Sequence, residues 1–454
     1  MNLTRIPSIR LIPLSFLVAI LVGSLLLILP ISSADGSWTD FVTALFTATT
    51  SVCVTGLTVV DTFSYWSTFG HVVILLLIQV GGFGIITVIS MIMLLTQKKF
   101  SLGDRKMLQD SLNLDTDAGI LKILSRIFKG TLSLELIGAL LYSFVFIPEF
   151  GPVKGAWISV FNAISSFCNA GIDIIGPNSL KPYASNPYVL AITMFLIIFG
   201  GLGYVVWFDL AHVIRRGVKS RFTPVQIFKR FSEHTKLVLA VTFTLIATGW
   251  LVFFLAEYDN PLTLKDMSIV DKLVNSLFES VTLRTAGFAT FSQAGITDIS
   301  CVVAYILMFI GGSPIGTAGG IKTVTFFLAL MGILTYIRSE DSNILFNRRV
   351  SDESMKKASV IVYVSLFSVI VFTLLLNATN PVTLQDALFE VISGLATVGL
   401  TMDLTSHLNT IGRLIIIVCM YLGRIGPISM AIFFAGRSKE KIQRHYIEGK
   451  FFVG

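Results

Sequence analysis

Four short glycine motifs divide the chain at nearly even intervals: Val54-Thr55-Gly56-Leu57, Asn169-Ala170-Gly171-Ile172, Thr285-Ala286-Gly287-Phe288 and Thr397-Val398-Gly399-Leu400. Their glycines stand 115, 116 and 112 residues apart. A period that long, kept through a whole chain, means one structural unit used four times. Each glycine closes a short amphipathic stretch that lies between two long apolar runs. Four such units can surround one axis, and that axis reads as an ion pathway.

The apolar runs decide the solvent. Only 13% of the 454 residues are charged, about half the share of an ordinary soluble domain. An integral membrane protein follows. The first run, 11–31, is too long for a signal-peptide core, has no small-residue cleavage site, and reads as a retained first helix. Four cysteines without CxxC spacing and five scattered histidines give no disulfide framework and no metal cluster. No nucleophile–base pair assembles either, so no catalytic residue, cofactor or enzyme activity is expected.

The net charge of +7 is concentrated in blocks at 98–129, 215–236, 338–357 and 437–450. The intervals between them are poor in Lys and Arg and carry acids such as Asp35, Asp40, Asp61 and Asp173. The positive-inside bias makes the blocks cytoplasmic, together with both termini, in a multi-pass plasma-membrane protein. A solvated, orientation-setting face accounts for them better than nucleic-acid binding does.

Each interval then has to leave and return. Outgoing helices are expected at 11–31, 131–148, 236–256 and 358–377, and returning helices at 70–96, 187–213, 300–336 and 409–434. The stretches at 38–51, 155–167, 270–282 and 384–395 are too short to cross a bilayer and read as re-entrant helices. The expected fold is therefore all-α, with eight spanning helices and four re-entrant pore loops around a pseudo-fourfold axis. Its divisions are 1–97, 98–214, 215–337 and 338–436 for the four repeats, and 437–454 for the tail.

A phenylalanine precedes each glycine at an offset of 10, 10, 9 and 10: Phe46, Phe161, Phe278 and Phe389. A polar residue follows each one: Thr47, Asn162, Glu279 and Glu390. The glycine lets the chain take a positive φ and turn back outward in extended form. Extended backbone at a helix C-terminus presents carbonyl oxygens, and four copies make a ring able to replace a cation's water. The candidate filter is Val54-Thr55-Gly56, Asn169-Ala170-Gly171, Thr285-Ala286-Gly287 and Thr397-Val398-Gly399. Small-residue helix packing is the competing account of a single such glycine; four in the same place favour the re-entrant pore.

Two features break the repeat. Gly311-Gly312-Ser313-Pro314-Ile315-Gly316-Thr317-Ala318-Gly319-Gly320 cannot continue a stable helix and reads as an unwound loop beneath the filter. A packing kink is the alternative. Gly319-Gly320-Ile321-Lys322-Thr323 fails as a phosphate loop, because Ile321 separates glycine from lysine and no strand precedes it. Arg424 lies inside the last apolar run, where an ionised side chain is a functional hypothesis by default. It either opposes a cation in the pore, or is satisfied by loop carbonyls, or does both as one latch. The candidate gate is thus Gly311, Gly312, Gly316, Gly319, Gly320 and Arg424. Gly81-Gly82-Phe83-Gly84 and Gly200-Gly201-Leu202-Gly203 read as close packing or a hinge. Glu135 and Asp209, placed near cytoplasmic helix ends, read as buried hydrogen-bonding groups.

These residues resemble the membrane subunits of the Ktr/Trk/HKT superfamily of potassium transporters, and the KtrB type in particular. The match rests on Ala44-Leu45-Phe46-Thr47-Ala48, on Val54-Thr55-Gly56-Leu57 with Val59-Val60-Asp61-Thr62, and on Asn169-Ala170-Gly171. It extends to Arg284-Thr285-Ala286-Gly287-Phe288, Ala396-Thr397-Val398-Gly399-Leu400-Thr401 and Gly423-Arg424-Ile425-Gly426-Pro427. The resemblance implies potassium uptake through a fourfold pseudosymmetric pore, with K+ at the filter carbonyls and an intramembrane gating loop. It also implies a homodimer in membrane lipid, seated on a ring of cytoplasmic nucleotide-binding regulatory subunits, with 447–454 at the dimer contact. Na+ as assisting ion, a sodium-selective transporter, and an alternating-access carrier of a small solute are the alternatives.

Overall fold

A computed structural model describes residues 8–84, 87, 90, 120–339 and 342–426. Among them the fold is helical, apart from one hairpin pairing Ile344–Leu345 with Arg348–Arg349. The first group of helices is α1 (Ser8–Ile28), α2 (Phe41–Cys53) and α3 (Thr68–Phe83). The second is α4 (Ile120–Phe150), α5 (Pro152–Cys168) and α6 (Pro187–Leu202), followed by α7 (Tyr204–Lys219) and α8 (Pro224–Lys229). The third is α9 (Glu233–Glu257), α10 (Ile269–Thr282), α11 (Asp298–Phe309) and α12 (Thr323–Ile337). The fourth is α13 (Asp352–Thr379), α14 (Leu384–Leu395) and α15 (Thr410–Ile425).

Among the described residues, α4, α9 and α13 are long and apolar enough to cross a membrane singly. Their outward faces carry Phe144, Phe243 and Phe367, which are 72%, 74% and 68% exposed. Apolar surface on this scale needs an apolar solvent. Helix α4 begins at Ile120, earlier than the expected 131. Lys122, Arg126 and Lys129 recur at helical spacing on its exposed side while Leu124 and Ile127 are buried, so the basic block continues the helix. Glu135 consequently lies in mid-helix, not near an end.

The expected uninterrupted returning helices over 187–213 and 300–336 are both broken. Gly203, at φ 88°, separates α6 from α7, and the two are bent by 101°. Residues 310–322 unwind between α11 and α12. Helix α3 stops at Phe83 before Gly84 (φ 80°), and α15 stops at Ile425 before Gly426 (φ 89°). Most of the expected extension to 96, the extension to 434, the basic residues 98–106 and the tail 437–454 lie outside the described residues.

The short helices are built to start and stop. Asp40 accepts hydrogen bonds from the Val42 and Thr43 amides at the head of α2. Ser268 and Thr383 accept from the Asp271 and Asp386 amides at the heads of α10 and α14. Such caps satisfy amides that the helix itself leaves unpaired. Phe46, Phe161, Phe278 and Phe389 are fully buried and anchor the four short helices.

The packing closes on itself. Helix α3 packs against α5, α6 against α10, α11 against α14, and α15 back against α2. The approach is set by small residues: a β-carbon on Gly81, Gly200 or Gly423 would collide with the carbonyl oxygen of Val52, Phe167 or Leu395 near the ends of α2, α5 and α14. These partners are backbone, which cannot yield by changing rotamer. Gly200→Ala is therefore expected to cost about 1–3 kcal/mol, read as a lower midpoint of thermal aggregation of the detergent-purified protein. An unchanged midpoint would contradict this packing.

Candidate functional site

The last turn of each short helix delivers the chain to the centre of that ring. Val54, Asn169, Thr285 and Thr397 are all left-handed, at φ 56°, 60°, 69° and 52°, each two residues before its glycine. Gly56, Gly171, Gly287 and Gly399 follow at φ 103°, 65°, 82° and 98°. At α2, α5 and α14 the turn is stapled by amide bonds from Thr55 to Thr50 O, Ala170 to Ser165 O and Val398 to Ser393 O, at 2.8–2.9 Å. This pattern is the Schellman arrangement, which uses up helix-end carbonyls. Helix α10 departs from it: Ala286 N bonds Thr282 O, one residue nearer. That shortening accounts for the offset of 9 between Phe278 and Gly287.

Hydroxyls hold the extended segments. Gly56 N donates to Thr50 Oγ1 at 3.0 Å, and Gly399 N to Ser393 Oγ at 3.1 Å. Ser165 and Thr282 donate instead to the carbonyls of Ile172 and Phe288. Sequence reading missed these four hydroxyls. Their signal was present, because each precedes its glycine by six residues, or five in the third unit. The buried Glu390 accepts from Thr401 and Thr405, and Glu279 from Gln293, so both carboxylates brace the chain just beyond the glycine.

The four glycines meet. A β-carbon on Gly56 would stand 3.2 Å from the α-carbons of both Gly171 and Gly399. One on Gly287 would stand 3.1 and 3.2 Å from those same two α-carbons. The carbonyl oxygens of Ala170, Ala286 and Val398 lie 2.6–2.7 Å from such added carbons on the neighbouring glycines. The hydroxyls of Thr55, Thr285 and Thr397 are buried without a protein partner. All four glycines line one cavity of about 370 Å³, whose walls also carry Asp61, Asp173, Asp403 and Lys181.

Residues 310–322 lie against the ends of α5 and α14 that lead into these segments. Gly311 N bonds Ile321 O and Thr323 N bonds Gly312 O, which closes the loop on itself. The break in α6 completes it: Ser313 N bonds Gly201 O, Thr317 N bonds Gly200 O, and Tyr204 N bonds Ile315 O. Thr317 Oγ1 donates to Phe167 O at 3.1 Å, behind the second glycine segment. A β-carbon on Gly319 would collide with Thr397, at the fourth. Gly316 lies against the Gly200 carbonyl, and Gly320 against Gly311.

Arg424 joins this loop to the first group of helices. Its Nη1 donates to Thr317 O at 2.6 Å and its Nη2 to Gly81 O at 2.5 Å. Lys322 Nζ donates to Ala318 O at 2.5 Å, and Arg284 Nη2 to Gly311 O at 3.2 Å. Each of these cations is thus held by backbone carbonyls. Glu135 is buried and accepts twice from Gln79 Nε2, with Cys168 Sγ beside it. Asp209 accepts from the amide and hydroxyl of Ser232.

A family model described as TrkH, cation transport protein, matches residues 15–443. The chain is 39% identical to the Ktr system potassium uptake protein B of Bacillus subtilis, over 98% of this chain and 96% of that protein. It is 37% identical to the potassium/sodium uptake protein NtpJ of Enterococcus hirae, over 93% and 91%. The crystal structure of the potassium transporter TrkH from Vibrio parahaemolyticus superposes with a TM-score of 0.73 at 17% identity, covering 95% of this chain and 85% of that one, which establishes a shared fold.

Proposed function

The chain belongs to the TrkH family of cation transport proteins, and we propose that it takes up potassium across the plasma membrane through a gated, carbonyl-lined pore. The observation that carries this reading is the meeting of Gly56, Gly171, Gly287 and Gly399 in the lining of one cavity. Close-packed glycines put backbone, not side chains, around the axis. Carbonyls of Val54-Thr55-Gly56, Asn169-Ala170-Gly171, Thr285-Ala286-Gly287 and Thr397-Val398-Gly399 then replace the water of a dehydrating cation. The names of the two relatives support potassium as that cation.

In this reading the four helix groups are four hairpins that together supply eight spans, with divisions at 97/98, 214/215, 337/338 and 436/437 and both termini cytoplasmic. Loop 311–320 and Arg424 form the gate. The membrane potential drives uptake, at about 2.3 kcal/mol per charge per 100 mV, or roughly fiftyfold accumulation. A homodimer on a ring of nucleotide-binding regulatory subunits is the assembly, in keeping with relatives named as part of a Ktr system. Sodium assistance is the second reading, favoured by the potassium/sodium name of the Enterococcus relative.

The decisive experiment is ⁸⁶Rb+ uptake by proteoliposomes holding the purified protein under an imposed inside-negative potential. Uptake should be inhibited by external K+ at lower concentration than by Na+. Saturable solute uptake with no Rb+ flux would support an alternating-access carrier instead. The three aspartates and one lysine of the cavity leave it net negative, which concentrates cations at its mouth. Asp61→Asn with Asp403→Asn is therefore expected to raise the KM for Rb+ about two- to fourfold at low ionic strength. The difference should fade as added choline chloride screens the mouth, and a KM equal to wild type at low salt would count against this role.

A further inference from the structure

Arg284 sits one residue before the third glycine segment and is 7% exposed. One of its donors reaches Gly311 O, but Nε has no partner. Nε and the equally partnerless hydroxyl of Thr242, from α9, belong to two residues that line the same narrow cavity. The remaining walls include Ile197, Ile198, Ile246 and Gly312. The cavity is only about 10 Å³, about what one small particle needs. Among the described residues no carboxylate pairs with Arg284.

We propose that this cavity binds a single monovalent anion of chloride size between Arg284 Nε and Thr242 Oγ1. A buried guanidinium without a counter-charge is costly, and an anion here would supply that charge while satisfying two partnerless polar groups in an otherwise aliphatic lining. Water needs two to four partners, including acceptors for its own protons. A halide needs donors alone. The anion also cancels a positive charge directly behind Thr285-Ala286-Gly287, where the proposed cation path runs, and it steadies the guanidinium that holds Gly311 at the start of the loop. Its effect on transport rests on the proposed function; its binding does not.

The test is anomalous diffraction from crystals of the full chain grown with about 150 mM bromide in place of chloride, a physiological ionic strength. One bromide peak touching Arg284 and Thr242 is expected. Its occupancy should fall about fivefold in Thr242→Val, which keeps the shape and removes one hydrogen bond, and should vanish in Arg284→Gln. A peak without anomalous signal, which is water, or a bromide unaffected by Thr242→Val, would overturn the site. In proteoliposomes, replacing chloride by gluconate on both sides should slow Rb+ uptake by wild type more than by Thr242→Val. Equal slowing would overturn the link to transport. A bromide peak in a protein that carries no Rb+ in any anion would establish the site and sink the transport reading instead.

Discussion

Arg424→Ala is expected to raise initial Rb+ influx into proteoliposomes by about ten- to a hundredfold. The guanidinium spans two carbonyls, Thr317 O on the loop and Gly81 O on α3. Its removal cuts the loop's tie to the first group of helices. On the proposed reading it also removes a charge that opposes a cation passing below the glycines. At a separation of about 6 Å and an effective dielectric near 20, that repulsion is roughly 3 kcal/mol, or about a hundredfold. Arg424→Lys should have a smaller effect, because an ammonium keeps the charge but cannot fork to both carbonyls. Influx equal to or below wild type, at equal protein per vesicle, would remove Arg424 from the gate.

The two accounts of Arg424 weighed from sequence were a pore-facing charge and an arginine satisfied by loop carbonyls. The second accounts for the hydrogen bonds, which join loop, arginine and Gly81; the latch itself is part of the proposed gate. The loop's amides and carbonyls are paired with the broken end of α6, so the bend at Gly203 and the unwinding at 310–322 complete each other.

Much of this arrangement was legible because it rests on local rules. The glycine period and the phenylalanine offset can be read along the chain, and the short helices fall close to their expected limits. The breaks at Gly203 and within 310–322 were harder to read as one structure. Each depends on hydrogen bonds to a segment about 110 residues away, which periodicity does not report. The early start of α4 was hidden by its lysines, whose long stems lie along a helix while their charges remain exposed. The packing role of Gly81, Gly200 and Gly423 became specific only once the carbonyls they face were in place.

The second large effect concerns the ring itself. Gly171 and Gly287 are left-handed and in contact with the neighbouring segments, so a serine at either position combines backbone strain with a collision against main chain. The Ala286 carbonyl lies 2.6 Å from a β-carbon on Gly171, and the Val398 carbonyl 2.6 Å from one on Gly287. These carbonyls must move apart or tilt to make room, and in the proposed filter their fit to a dehydrated cation is lost. Potassium uptake by Gly171→Ser and Gly287→Ser should fall at least about tenfold, which corresponds to only about 1.4 kcal/mol of lost ion stabilisation. The most direct measurement is growth of a potassium-uptake-deficient strain at limiting potassium, with wild type and both variants at matched membrane expression. The pore account predicts rescue by wild type and failure by both serine variants, relieved by raising external potassium; full rescue by both variants would contradict it.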